Sequence, residues 1–232
     1  MSEETGIAPE HFEEFLPFLA DDVLDGLAGC MGKGWQKWLR KEPLHKFKPD
    51  EKAEVESAAN YVVMAVQMGL LLAKRQPELG DVALNVLKSR GVSADEIWQG
   101  VIEAYHGFLG FSGSGYSEKG RINPEHFGEF LSYYASGWLR EMSRHMDKEW
   151  QKGWGKRVNP FKLKPGEKAK VASVGNYATF AILTGLLVPK RQPELLGVDW
   201  SRGASLDVLW EGRLRTYESF LYYKHFIDRK PS

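Results

Sequence analysis

The chain has 232 residues, with 31 Lys and Arg against 31 Asp and Glu and a formal net charge of zero. Its apolar and charged fractions are ordinary for a soluble globular protein, and its length allows one large domain or two smaller ones. Its one cysteine, Cys30, excludes an intrachain disulfide and fits a reducing compartment.

The start, MSEETGIAPEHFEEF, is acidic and lacks the basic and apolar regions of a secretory signal. The most apolar runs, 62–73 and 178–188, are about 11 or 12 residues long, which is short for a bilayer span and predicts buried helices. The expected setting is therefore the cytoplasm, without membrane insertion. The charge is unevenly split. Residues 1–111 carry about 11 basic and 18 acidic side chains and the remainder about 20 and 13, or roughly −7 and +7. Opposite charges favour docking of one half on the other, or head-to-tail contacts between chains. Drift of two solvated faces gives the same numbers.

Residues 1–7 read as a tail. Pro9 then opens a helix with Glu10, Glu13 and Glu14 in its first turns, where carboxylates suit the positive end of the helix dipole. Phe12, Phe15, Leu16, Leu19, Val23, Leu24 and Leu27 follow at helical spacing. Pro17 predicts a kink, and Gly26, Gly29, Gly32 and Gly34 a weakened end. A second start, Pro124-Glu125-His126-Phe127, leads into Phe130, Leu131, Tyr134, Trp138, Leu139 and Met142. With fewer breakers it predicts the straighter, longer helix.

The stretch 46–79, KFKPDEKAEVESAANYVVMAVQMGLLLAKRQPEL, returns at 162–195 as KLKPGEKAKVASVGNYATFAILTGLLVPKRQPEL. Roughly 20 of about 34 positions are identical without a gap, the mark of a tandem duplication. Pro49 and Pro165 start this helix, Lys74-Arg75 and Lys190-Arg191 suit its negative end, and Pro77 and Pro193 stop it. Its middle is apolar nearly all round, which places it at the centre of a bundle. Gly69 and Gly185 predict close approach of another helix. Asn60 and Asn176 predict buried polar links, with a ligand pocket as the alternative.

Beyond KRQPEL, residues 82–89 predict a short helix, whereas LGVDWSRG predicts only a turn. Ser93 and Ser205 are N-cap candidates for the last helix of each half. The fold class is all-α: a duplicated three-to-four-helix bundle with a pseudo-two-fold relation. Residues 1–110 form an acidic domain, 111–121 a Gly/Ser-rich linker and 122–232 a basic domain, each large enough for its own core.

Three sets of residues carry chemistry. His11 and Glu14 share a helix face, and Glu103 and His106 have the ExxH spacing used in di-iron bundles, so all four are metal-ligand candidates. The second half has Arg215 and Glu218 in place of Glu103 and His106, which breaks that pattern; dipole and packing roles are the alternative. The second set is basic and aromatic: Trp138, Arg140, Arg144, Lys148, Trp150, Lys152, Trp154, Lys156 and Arg157. Cations neutralise phosphates and indoles stack on bases or on a protein partner, unless the tryptophans face the core. The third is the repeated turn, with Lys74, Arg75, Glu78, Lys190, Arg191 and Glu194, read either as a fixed structural turn or as a recognition loop.

Cys30 has no basic neighbour in sequence, and no Walker loop, Rossmann fingerprint, G-x-S-x-G, paired CxxC or HExxH occurs. No cofactor is implied. The expected function is a non-enzymatic interaction subunit or adaptor with a protein partner or self-association. The alternatives are a nucleic-acid-binding subunit using 138–170, and a metal- or small-molecule-dependent helical enzyme.

Overall fold

The structure is a computed structural model that describes residues 6–113, 120–155, 163–201 and 205–228. Among these residues the protein is all-helical. Nine α-helices run α1 Phe12–Gly29, α2 Lys33–Leu39, α3 Pro49–Arg75, α4 Leu79–Ser89, α5 Ala94–Ser112, α6 Phe127–Ser143, α7 Lys148–Gly155, α8 Pro165–Arg191 and α9 Leu206–Asp228. Of the expected linker 111–121, Phe111 and Ser112 instead finish α5, and 114–119 lie outside the described residues.

The two central helices, α3 and α8, make the most extensive contact of any helix pair. They start alike. The amide of Lys48 donates to Glu51 Oε2 (2.8 Å) and that of Lys164 to Glu167 Oε2 (3.0 Å), so each carboxylate satisfies an orphan donor at a helix start. They also cross at glycine. A Cβ on Gly69 would overlap the carbonyl oxygen of Ile182, and one on Gly185 the carbonyl oxygen of Val66. The expectation of close approach is met, and each of these glycines is at the other's contact point.

Not all outer helices stay with their own half. α6 packs more extensively on α3 than on α8, while α1 packs on both. Nearly all the buried apolar side chains form one cluster drawn from both halves, from Ile7 to Phe220. Each half's core is completed by the other.

Several local expectations change. α1 runs 18 residues through Pro17, and α6 is 17 residues, so the second start does not make the longer helix. Both helices must end where the chain turns to bury Trp35 and Trp150 in the core. Gly34 serves packing: a Cβ there would overlap the backbone of Glu51, where α2 sits on the start of α3. Where the first half has α4, the second has only a 3-10 turn, Pro193–Gly197, as the sequence predicts. Asn60 and Asn176 are exposed rather than buried, both on the outer face of their helix, and Asn60 lines a surface space with Asp25, Cys30 and Tyr61.

The reading that the apolar segments are short also needs correction. α3 and α8 have 27 residues each, and each contains an 18-residue window long and apolar enough to cross a membrane by length and composition. More than half of each window, 56% and 61%, is buried inside the protein. The core helices of soluble bundles share that composition.

The crossing makes a steric test. Gly69→Val should destabilise the fold by about 3 kcal/mol or more, because backbone atoms cannot move aside as side chains can. Gly137→Ala, where a Cβ meets nothing within 4 Å, should leave stability unchanged or raise it by up to about 1 kcal/mol. Denaturant unfolding of both variants checks the contrast.

Glu51 gives a second test. It is buried, and the hydrogen bond from Lys37 Nζ (2.6 Å), then that from the Lys48 amide, holds its carboxyl below the usual range against the opposing effect of burial. A depressed folded pKa stabilises above the unfolded value of about 4.3 and is lost as pH falls through the folded value. Glu51→Gln should therefore lower the Tm at pH 7, and its gap to wild type should close in acid. A pH series of thermal melts reads this out.

Candidate functional site

The KRQPEL turns act inside the molecule. Gln76 Oε1 accepts from the Ile7 amide (2.7 Å) and Gln76 Nε2 donates to the Ile7 carbonyl (3.1 Å). Gln192 holds Ile122 in the same way, at 2.6 and 3.1 Å. A primary amide matches both backbone groups of one residue, so each glutamine clips down the segment that leads into α1 or α6. The cations reach across to the other half. Arg75 pairs with Asp207, Arg191 with Asp95, Lys190 with Asp81 (2.7 Å), and Lys74 donates to the Leu196 carbonyl (3.2 Å). Glu78 and Glu194 accept from the two glutamines, and Arg121 also pairs with Glu194. Glu194's carboxyl is held low by its own backbone amide, then by Gln192 and Arg121. All six repeated-turn candidates are engaged within the chain. The glutamines between them were missed; two identical Gln residues inside a shared hexapeptide were the available signal.

The charge split has a destination too. Arg213 binds Asp22 (2.7 Å) and Lys224 binds Glu14 (2.5 Å); with Lys190–Asp81 and Arg191–Asp95, these put second-half cations on first-half acids. Arg75–Asp207 runs the other way.

Two aromatic seams join the halves. On one, between α1 and α9, His11 Nδ1 meets the Tyr217 hydroxyl (2.8 Å), which also accepts from the Ala8 amide (3.2 Å). On the other, between α5 and α6, His126 Nδ1 meets the Tyr105 hydroxyl (2.9 Å), which accepts from the Asn123 amide (3.0 Å). The rings continue outward as Phe220–Phe18–Tyr223 and as Phe108–Tyr133–Phe111, with centroids 5.1 to 6.0 Å apart. Phe111 is 82% and Tyr223 52% exposed.

The metal candidates do not converge. His11 is committed to Tyr217 and Glu14 to Lys224, while Glu103 and His106 lie exposed on α5, Glu103 bonded to Gln99 (3.1 Å). Among the described residues no group of three or more His, Cys, Asp or Glu could hold a metal ion.

The basic–aromatic segment divides. Trp150 is fully buried and Trp154 only 7% exposed, with its Nε1 donating to Asp25 Oδ1 (3.0 Å); Trp138 is half-buried. This corrects the stacking role for Trp150 and Trp154: their rings are enclosed by the core. Arg140, Arg144 and Lys148 are exposed, and Arg144 pairs with Glu141. Lys152 lies on α7, and its side chain, like Lys156 and Arg157 entirely, lies outside the described residues. Cys30 has its thiol pKa pushed up by burial, then by the charge of Glu54, which opposes thiolate formation.

The second seam holds a groove that the sequence did not disclose. Its volume is roughly 420 Å³, between α5, α6 and α8, with Tyr133, Tyr134, Trp138 and Phe180 on its walls and Glu96 and Glu141 among its lining. Burial pushes the Tyr134 phenol up, so it stays neutral, and its hydroxyl faces Trp138 and Thr184. On the first seam, Met64 and Leu209, the counterparts of Phe180 and Ile97, line a space of roughly 40 Å³ between α3 and α9. There Arg213 crosses to Asp22, and Thr216 reaches the same carboxylate (3.4 Å). When the two halves are aligned, Gly137 stands opposite Asp22 and Ala104 opposite Thr216.

No known family, curated protein or solved structure matches this chain.

The seams predict paired losses. Tyr105→Phe and Tyr217→Phe each remove a hydroxyl that serves a histidine and a backbone amide, and each should cost about 1–3 kcal/mol. Urea titrations of the single and double variants should give nearly additive losses, because the two hydroxyls share no partner.

Proposed function

We propose that the chain is a non-enzymatic interaction subunit of a larger assembly in the cytoplasm, built as a tandem duplication whose halves pack about a pseudo-two-fold axis. What supports the duplicated reading is that contacts come in matched pairs. Gly69 and Gly185, Gln76–Ile7 and Gln192–Ile122, and His11–Tyr217 and His126–Tyr105 each repeat one interaction in both halves. On this reading the chain resembles a dimer fused into one polypeptide, and the apolar windows of α3 and α8 are its core rather than membrane spans.

One observation carries the interaction role. Phe111 and Tyr223 hold matching positions on α5 and α9, each at the outer end of an aromatic ladder rooted in the core. Each is a large aromatic left open on a rigid helix, the residue type that anchors protein interfaces. The nucleic-acid alternative keeps exposed cations at Arg140, Arg144 and Lys148 but has no open tryptophan beside them at Trp150 or Trp154. The enzyme alternative rested on metal candidates, and among the described residues these do not converge.

The test is a double variant, Phe111→Ser with Tyr223→Ser. It should fold and melt like wild type, because both side chains are largely exposed. It should lose a stoichiometric complex, with a partner or with itself, that wild-type protein forms and sedimentation equilibrium detects. A complex that survives both substitutions overturns this role for the ladders. Nuclease-sensitive absorbance near 260 nm on gently purified protein replaces the reading with the nucleic-acid one.

A further inference from the structure

We propose that the groove between α5, α6 and α8 is a binding site for a small organic cation, an ammonium head carried on an apolar body. The inference stands apart from the interaction role, because neither Phe111 nor Tyr223 lines the groove.

The walls supply the first argument. Tyr133, Tyr134, Trp138 and Phe180 bring four aromatic rings to one cavity of roughly 420 Å³. That size suits a small ligand. Aromatic faces carry partial negative charge and attract cations, most strongly where water is excluded.

Charge supplies the second. The only ionised side chains in the lining are Glu96 and Glu141; no lysine or arginine is among them. Each carboxylate is steadied through Oε2, Glu96 by the amide of Ser93 (3.0 Å) and Glu141 by the outward-lying Arg144. An anionic ligand would meet two like charges, and a purely apolar one would leave Glu96, held only by a backbone amide, without an ionic partner.

The cavity floor supplies the third. Gly100 and Gly137 lie inside α5 and α6, and a Cβ on either would meet nothing within 4 Å. No close helix approach requires them, unlike Gly69 and Gly185. Each costs about 1 kcal/mol of helix stability relative to alanine, and their effect is to keep the groove open.

The other seam supplies the fourth. There a cation of the protein's own crosses to the counterpart of Gly137: Arg213 lies 3.9 Å from the Met68 sulfur, with its guanidinium on Asp22 at 2.7 Å, and its side chain is only 17% exposed. One seam is bridged by a cation on an apolar stem. The second has Val101 where the first has Arg213, and its acids and aromatic rings face an open space.

The test compares two probes of one shape, benzyltrimethylammonium and its uncharged carbon isostere neopentylbenzene, titrated against the full chain by tryptophan fluorescence and by ligand-observed NMR. The cation should bind saturably and about tenfold more tightly than the isostere. Gly137→Leu, whose side chain projects into free space, should abolish cation binding while the thermal melt stays cooperative. The double variant Glu96→Gln, Glu141→Gln should weaken the cation several-fold and leave the isostere unchanged. Equal affinity for the two probes overturns the proposal, as does cation binding that survives Gly137→Leu. So does the lack of saturation into the tens of millimolar.

Discussion

The backbone contact at Gly69 and Gly185 is the constraint on which the rest of the molecule depends. Two 27-residue helices can approach this closely only where neither carries a Cβ at the crossing. With the helices drawn together, their apolar faces cannot be covered from one half alone. α1 and α6 must each reach the central helix of the other half, and the core becomes a single cluster. Most of the energy that holds such a bundle together is apolar burial, which is not directional. Orientation must therefore come from the polar contacts at the ends of the central helices.

Those contacts gather at the KRQPEL turns. Each turn lies where a central helix ends, so its lysine and arginine stand at the negative end of a helix dipole and close to the opposite half. The glutamine that follows cannot continue the helix into proline, and its amide turns instead to the incoming segment at Ile7 or Ile122. One hexapeptide thus performs three tasks: it stops the helix, ties down the start of α1 or α6, and bridges to the other half. Exposed ion pairs individually contribute little. Here their arrangement selects one orientation, because most pair a second-half cation with a first-half acid.

What could be read from the sequence follows from which forces are local. Helix starts at Pro49 and Pro165, the Ser93 cap, the turn in place of a second α4 and the close approach at the two glycines all depend on short-range chemistry, and all are found. Two of the departures have non-local causes. Asn60 and Asn176 sit in an apolar stretch, but the exposed side of the central helix was not apparent until its neighbours were placed. Trp150 and Trp154 lie among lysines, and only the packing of α7 on α8 turns their rings inward. A third is local: the uninterrupted apolar runs of α3 and α8 are short, whereas a window that tolerates single polar residues is longer. The groove was least legible of all, since Tyr133, Trp138 and Phe180 attract notice as core residues, and an absence of atoms leaves no mark in a sequence.

That absence is informative once the seams are set beside each other. If the chain arose by duplication, the first form of the protein had two equal seams, and any side chain that filled one filled both. On that history, fusion into a single polypeptide would have removed the coupling, because each position could then change alone. The Asp22–Arg213–Thr216 bridge and its counterparts Gly137, Val101 and Ala104 are what such uncoupling produces: one seam consolidated by charge, the other left open. A seam whose sole role were adhesion would be more stable closed, since a void forfeits contacts along its whole lining. The open seam instead keeps four aromatic rings and two carboxylates around its space, beside two helix glycines that lower stability. Stability argues for filling it, and the residues that surround it are of the kind that receive a ligand.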